Sequence, residues 1–218
     1  MSLSMLRALH LGDSSFPSGA FAFSWGLERA AATGMVTRDT FPTWLASELL
    51  DRWAKFDRII LAGAWRCPAE DYATWEADID VYYWSEPLRQ YSMQAGAAFL
   101  AGGARFGDPA AERILTACQN GKALGHLPAV QGAFLASQGL PLAEALAIAA
   151  HGATQTLVSA AVRLSLISAS EGQRAHAQVL PLLAKATTVP DPGAEPQSFA
   201  PLSEIAMLQP SDVSLFVN

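Results

Sequence analysis

Residues 141–167 read PLAEALAIAAHGATQTLVSAAVRLSLI, and this stretch decides the fold class. Apolar residues recur in it at steps of three and four from Leu142 to Leu164, which is the spacing of a buried α-helical stripe. The opposite face is also rich in alanine, and Pro141 suits the first turn of a helix. A helix that is apolar nearly all round is usually buried at the centre of a bundle. We therefore predict a long buried central helix over about residues 141–168.

A second apolar stripe predicts another long helix, which begins near Phe41 and ends at Arg66-Cys67-Pro68. Its members again follow steps of three and four: Phe41, Leu45, Leu49, Trp53, Phe56, Ile60 and Gly63. Shorter helical patterns lie between the two long ones, and no alternating stretch is long enough for the core of a sheet. The sequence predicts an all-α fold, a single-domain multi-helix bundle of roughly eight to ten helices of ordinary length.

The C-terminal region differs in composition from the rest of the chain. Residues 187–197 contain three prolines and no apolar period, which indicates a linker. We predict a helical domain over residues 1–186, a Pro-rich linker over 187–197 and a C-terminal tail over 198–218. The tail alternates short apolar and polar pieces, so it either docks on the bundle or binds a partner.

Composition narrows the classes of function. The 218-residue chain has a net charge of −6, with 51% hydrophobic and 16% charged residues. Nucleic-acid binding needs a basic surface, which this chain lacks, so we predict no nucleic-acid partner. We also predict no membrane span, because no stretch approaches ~20 uninterrupted apolar residues. The isolated cysteines Cys67 and Cys118 indicate a reducing compartment, and we expect a cytoplasmic protein.

The sequence lacks the usual patterns of enzyme chemistry. Gly121-Lys122 is not part of a phosphate-binding P-loop, and no serine lies in a Gly-x-Ser-x-Gly elbow. The four histidines are dispersed along the chain, and the acidic residues between Glu70 and Asp80 are interpreted as a solvated helix face. We therefore predict no catalytic, cofactor-binding or metal-ligating residues.

A Pro-x-Gly turn and an aromatic helix start lie near the N-terminus, in residues 16–28 (FPSGAFAFSWGLE). Gly26 is interpreted as a glycine inside a helix, where the close approach of another backbone would explain its cost of roughly 1 kcal/mol. No nucleophile with a base lies nearby, so the segment is predicted to serve packing or docking. Whether Phe21 and Phe23 point into the bundle or toward a partner stays open.

Four ordered sequence elements resemble the UreF family of urease accessory proteins. Residues 17–28 resemble its Pro-x-Gly-x-Phe-x-x-Ser-x-Gly-Leu-Glu signature, with Phe23 where Tyr or His is usual. Residues 88–96 resemble Leu-Arg-x-x-Ser-x-Gln-x-Gly, and residues 125–132 resemble Gly-His-x-Pro-x-x-x-Gly. Residues 159–164, followed by Gly172-Gln173, resemble the late helix of the family. The likeness covers most of residues 6–185, whereas the tail departs from the family pattern.

The resemblance implies a non-catalytic scaffold for nickel insertion into urease. Such a protein bridges a UreD/UreH-like protein and a UreG-like GTPase and delivers the complex to apo-urease. It forms a dimer and binds no cofactor directly, since nickel and GTP are handled by the partner complex. The residues that match the motifs are predicted to bind partners: Pro17, Gly19, Phe21, Phe23, Ser24, Glu28, Arg89, Gln94, His126, Arg163 and Gln173.

Two other functions stay open at the level of the sequence. One is a helical-bundle enzyme or ligand-binding protein of the haem-oxygenase type, which would need a histidine or carboxylate cluster facing an interior cavity. The other is a structural adaptor unrelated to urease. The identity of the binding partners separates all three functions.

Overall fold

Helices dominate residues 3–13, 16 and 23–197, which are the residues that the computed structural model describes, and no strand occurs among them. The elements in chain order are α1 (Leu3–Leu11), α2 (Leu27–Ala32), α3 (Phe41–Ser47), a π-helical segment (Glu48–Asp57), α4 (Arg58–Arg66), α5 (Tyr72–Asp80), α6 (Glu86–Arg105), α7 (Pro109–Gln119), α8 (Leu127–Ser137), α9 (Leu142–Arg163) and α10 (Ala169–Ala186). The predicted all-α, single-domain fold is confirmed.

The predicted central helix is α9, which ends at Arg163 and not near residue 168. The chain turns after this residue because Ser165 has a positive φ of 56°, a left-handed conformation that stops an α-helix. On the opposite, alanine-rich face, Ala150 is buried but Ala143 is exposed. The helix α9 is therefore not buried on all sides. By length and composition α9 could cross a membrane, but 56% of its most apolar window is buried inside the protein.

The second predicted helix runs from Phe41 to Arg66 with a π-helical middle. Phe41, Leu45, Leu49 and Trp53 follow one another at steps of four, and each is at most 5% exposed. At 3.6 residues per turn such positions drift around an α-helix. The wider i→i+5 turn of a π-helix keeps residues at this spacing closer to one line. This applies to Leu49 and Trp53, whereas Phe41 and Leu45 belong to the α-helical α3.

Gly26 does not lie inside a helix, contrary to the interpretation from the sequence. It is the N-cap of α2, with a φ of 82°, and Trp25 before it has a φ of 52°. Two consecutive left-handed residues reverse the chain before Leu27, and glycine adopts such angles without a steric penalty. The backbone conformation, and not a close helix–helix approach, explains the glycine.

Residues 187–197 lie along the π-helical segment and α4. Arg58 Nη1 donates to the carbonyl of Thr188 at 2.7 Å, and Arg66 Nη2 donates to the carbonyl of Pro190 at 2.7 Å. The backbone N–H of Gln197 donates to the carbonyl of Lys55 at 3.0 Å. The segment predicted as a linker is therefore fastened at three points. The predicted tail, residues 198–218, lies outside the described residues.

Candidate functional site

Two of the sequence elements that resemble the UreF family, residues 88–96 and 125–132, meet in space beside α5. The first element is part of α6, and the second is the turn that leads into α8 together with the start of that helix. We call this meeting point the α8 junction. It consists of Tyr72, Glu76, Asp80, Tyr83, Arg89, Ser92, Gly96, Gly125, His126 and Leu127.

Glu76 anchors the turn before α8 from the middle of α5. Its side chain is 0% exposed, and its carboxylate accepts the backbone N–H groups of Leu124, Gly125 and His126 at 2.8, 3.0 and 2.9 Å. The hydroxyl of Tyr72, one turn earlier on the helix, also donates to it at 3.1 Å. Backbone donors of this kind stabilise a buried carboxylate, since an unpartnered buried charge is costly.

The interpretation of the acidic residues of α5 as a solvated face is therefore wrong for Glu76. The sequence contained a signal, because Tyr72, Glu76 and Asp80 recur at steps of four and share one face of the helix. A tyrosine on that face indicates burial of the carboxylate beside it. Its partners, however, lie 48 to 50 residues further along the chain, and no local pattern specifies them.

His126 lies in the interior of the junction, at 0% exposure. Its Nε2 lies 2.9 Å from Oδ1 of Asp80, and Arg89 Nε donates to the same oxygen at 2.6 Å. The ring of Tyr83 stacks on the imidazole with centroids 4.0 Å apart and an interplanar angle of 9°. Nδ1 of His126 is buried and has no hydrogen-bond partner.

The surroundings of His126 favour a neutral imidazole. Burial lowers the pKa of His126 below its ordinary value, although the hydrogen bond to Asp80 opposes this shift. Burial also disfavours the charge of Asp80, but hydrogen bonds from Arg89 and His126 outweigh it and lower the pKa of Asp80. An ionised Asp80 therefore accepts from the Nε2–H tautomer of His126 and from the Arg89 guanidinium.

Ser92 and Gly96 bring α6 against the same turn. Ser92 Oγ accepts from the backbone N–H of Leu127 at 3.2 Å and lies 3.1 Å from the hydroxyl of Tyr83. A Cβ placed on Gly96 would stand 1.9 Å from the carbonyl oxygen of Gly125. Real Cβ contacts are essentially never this close. The two backbones can approach each other only because glycine has a hydrogen atom in place of Cβ.

In the described part of the chain, the α8 junction has a structural role: it holds α5, α6 and the turn before α8 together. Its carboxylates, hydroxyls and guanidinium are engaged in bonds to one another and to the backbone, as the distances above show. Among the described residues, no group of three or more His, Cys, Asp or Glu side chains could hold a metal ion. The arrangement can fix the entry to α8, and it presents no paired nucleophile and base.

The N-terminal sequence element ends against the π-helical segment. The Arg52 guanidinium lies over the Trp25 ring at 5.0 Å from its centroid, which is a cation–π geometry. Arg52 also donates to Glu48 at 3.2 Å and to Asp57 at 2.7 Å. Burial raises the pKa of Asp57, and Arg52 opposes that rise. The two carboxylates hold the Arg52 guanidinium, which in turn contacts Trp25 just before α2.

The remaining predicted partner-binding residues fall into four groups. Pro17, Gly19 and Phe21 lie outside the described residues. Phe23 and Ser24 are 4% and 0% exposed, so Phe23 points into the protein interior. Glu28 is half-buried, whereas the last group is exposed: Gln94, Arg163 and Gln173. Partner binding by these residues stays a prediction, and the exposed group is the accessible one.

A cavity of about 300 Å³ lies between α1, the π-helical segment, α8 and α9. Its walls are mainly apolar and include Phe16, Phe99 and Phe134, together with the polar side chains of Arg52 and Asp57. None of its described lining residues is a histidine. The haem-oxygenase alternative requires a histidine or carboxylate cluster, and the carboxylates of this described lining are Asp13 and Asp57, the latter paired with Arg52.

Comparison with known proteins gives a family match that spans the α8 junction. The model of the UreF family matches residues 35–180, which include all three helices of the α8 junction. A urease accessory protein UreF of Cereibacter sphaeroides is 35% identical over 84% of this chain and 81% of its own length. Proteins with the same description from Allorhizobium ampelinum and Paenarthrobacter aurescens are 32% and 29% identical, each over 84% of this chain and 83% and 82% of their own lengths. The chain therefore belongs to the UreF family of urease accessory proteins.

Proposed function

We propose that the chain acts as a scaffold in urease maturation, where it bridges a UreD/UreH-like protein and a UreG-like GTPase and delivers this complex to apo-urease. Nickel is the cargo, and both nickel and GTP are handled by the partner proteins. The scaffold works in the cytoplasm as a homodimer and has no catalytic step of its own. Membership of the UreF family supports this proposal, since its relatives are described as urease accessory proteins.

The observation that carries the proposal is the outward face of α1, which we call the α1 face. Its side chains are apolar and strongly exposed, at 63%, 52%, 47% and 61% for Leu3, Met5, Leu6 and Leu9. Single exposed leucines are ordinary on a protein surface, but a contiguous apolar patch usually marks an interaction site. Leu6 and Leu9 are three residues apart and so lie side by side on the helix.

Polar contacts hold α1 to the bundle, and its leucines Leu3, Leu6 and Leu9 are exposed on the outer side. Ser4 Oγ donates to the carboxylate of Glu144 at the start of α9. Arg7 Nη1 donates to the carbonyl of Gln138 at 3.0 Å. An amphipathic helix normally buries its apolar face, and α1 does the reverse. This orientation supports a role in protein–protein contact.

Phe106 extends the α1 face at the end of α6. It is 63% exposed, its ring lies 6.4 Å from that of His10, and it stacks on Phe16 at 5.8 Å. Aromatic side chains of this kind are enriched among the residues that dominate binding energy. We therefore propose that a UreD/UreH-like partner covers the α1 face and Phe106 together.

Co-purification from a host that expresses the chain with tagged UreD/UreH-like and UreG-like proteins tests the proposal. Replacing Leu6 and Leu9 by serine should lower capture at least tenfold, because burying one leucine contributes about 1.5–3 kcal/mol and 1.4 kcal/mol is tenfold in affinity. The control is Leu180→Ser, which changes an exposed leucine on α10. Equal capture of both variants, or no complex with the unmodified chain, would overturn the proposal.

Urease activity in a urease-positive host gives an independent test of the function itself. Deleting the gene should abolish nickel-dependent urease activity, and the unmodified chain should restore it. Urease activity that is unchanged by the deletion would show that the protein has another role. The alternative of an adaptor unrelated to urease predicts that outcome.

A further inference from the structure

Two histidine rings lie side by side where α9 packs against α10. His151 is half-buried, and His176 is only 6% exposed. Their ring centroids are 5.1 Å apart, and their planes are inclined by 51°. The two residues are 25 positions apart in the sequence, so the fold alone brings them together. Neither ring belongs to the α8 junction or to the α1 face.

We propose that His151 and His176 form a binding site for a first-row divalent cation that prefers imidazole, such as Zn²⁺ or Cu²⁺. An ion about 2.0–2.1 Å from one nitrogen of each ring, at a tetrahedral angle, places the two ring centroids roughly 5 Å apart. The observed separation agrees with this geometry. Imidazole suits Zn²⁺ and Cu²⁺, whereas Ca²⁺ and Mg²⁺ prefer oxygen ligands.

The state of the two rings also suits a metal ligand. Nδ1 of His176 is buried and has no hydrogen-bond partner, which is costly for a polar atom unless some ligand engages it. Burial lowers the pKa of both histidines, and the neighbouring ring adds to the shift at His176. Both imidazoles are therefore neutral at pH 7, with a lone pair available for a cation.

Two protein ligands make an open site. No third His, Cys, Asp or Glu completes a cluster with them among the described residues, so water or another donor fills the other positions. Structural zinc sites use four protein ligands, while sites with open positions exchange their ligands more readily. We therefore expect an ion that is held reversibly. This inference concerns the chain's own residues and does not depend on which partners it bridges.

The test uses the untagged full chain with Zn²⁺ alone, followed by thermal unfolding and isothermal titration calorimetry. A cation that binds only the folded state raises Tm, by roughly 5 °C when present at about a hundred times its Kd. The expected result is a stoichiometry of one ion per chain and this rise in Tm. Co²⁺ in place of Zn²⁺ should give the visible absorption of a nitrogen-bound ion.

His151→Ala removes the more exposed ligand and is expected to fold, whereas replacing buried His176 risks the fold itself. The variant should lose both the Tm rise and the bound ion. His10→Ala, which removes an exposed histidine of α1, is the matched control and should keep both. The proposal is overturned if the unmodified chain binds no Zn²⁺, if His151→Ala still binds it, or if His10→Ala also loses it.

Discussion

At the α8 junction a carboxylate and an imidazole are 0% exposed, whereas on α1 four apolar side chains are each about half exposed or more. The usual distribution of polar and apolar groups is thus inverted in both regions. In the junction, the buried carboxylate of Glu76 accepts hydrogen bonds from the turn before α8. A polar network that is bonded in this way holds α5 and the turn in one relative position. On α1, the leucines Leu3, Leu6 and Leu9 stay exposed in the described chain. The first region serves the fold, and the second is available for binding.

The largest effect is expected from Glu76→Ala, which breaks the junction at its centre. The substitution leaves three backbone N–H groups without their acceptor, and each unsatisfied buried donor costs about 1–3 kcal/mol. We expect a loss of about 4 kcal/mol in the free energy of unfolding, measured by urea denaturation. Asp78→Ala, an exposed neighbour on α5, should stay within about 0.5 kcal/mol. Similar losses of unfolding free energy for the two variants would contradict the stabilising role of Glu76 at the junction.

A somewhat smaller effect is expected from Gly96→Ala. The new methyl group collides with the carbonyl of Gly125, and α6 must move away from the turn. Overpacking of this kind costs about 3 kcal/mol in the free energy of unfolding. Gly152→Ala is the matched control, because a Cβ on that helical glycine meets no atom within 4 Å. The helix propensity of alanine should make the control neutral or stabilising.

The pH dependence of stability reports on His126 with a smaller signal. Its pKa is lowered in the folded chain, so below the ordinary pKa of histidine the unfolded chain binds a proton that the folded chain resists. Stability is therefore lost as the pH falls from 7 to 5.5. The groups that face the ring are Asp80, Arg89, Glu76 and Tyr83, and the lowered pKa of Asp80 keeps it ionised across this range.

His126→Gln isolates that contribution to the pH dependence. Glutamine can still donate to Asp80 but cannot take up a proton. The difference in unfolding free energy between the unmodified chain and the variant should shrink toward pH 5.5, measured by urea denaturation at several pH values. Parallel pH profiles of the two proteins would show that folding leaves the pKa of His126 unchanged, which would contradict the lowered pKa.

The smallest effect on stability is expected from Leu9→Ala on the α1 face. An exposed side chain gives up little burial, so the free energy of unfolding should change by less than about 0.5 kcal/mol. Leu100→Ala on α6 is the contrast, because that leucine is 0% exposed and its loss should cost about 2–5 kcal/mol. A large destabilisation by Leu9→Ala would mean that the α1 face is already buried within this protein, without a binding partner.

The sequence predicted the helices well, because their signals are local. The stripe that begins at Phe41 and the apolar pattern of α9 follow the helical period, and both helices are observed. Residues 88–96 and 125–132 resemble elements of the UreF family, but the sequence alone does not explain their residue types. The structure gives that reason: Ser92 and Gly96 receive the turn around His126.

The sequence by itself determined the fold class and the family, since helical period and ordered motifs are readable along the chain. The tertiary structure decided which polar residues are enclosed and which apolar residues are exposed. Glu76 reaches donors about fifty residues away, Ser165 ends α9 through its own backbone angle, and Leu9 faces away from the bundle. The physical reason is that burial depends on contacts between distant elements, whose geometry a local pattern does not contain.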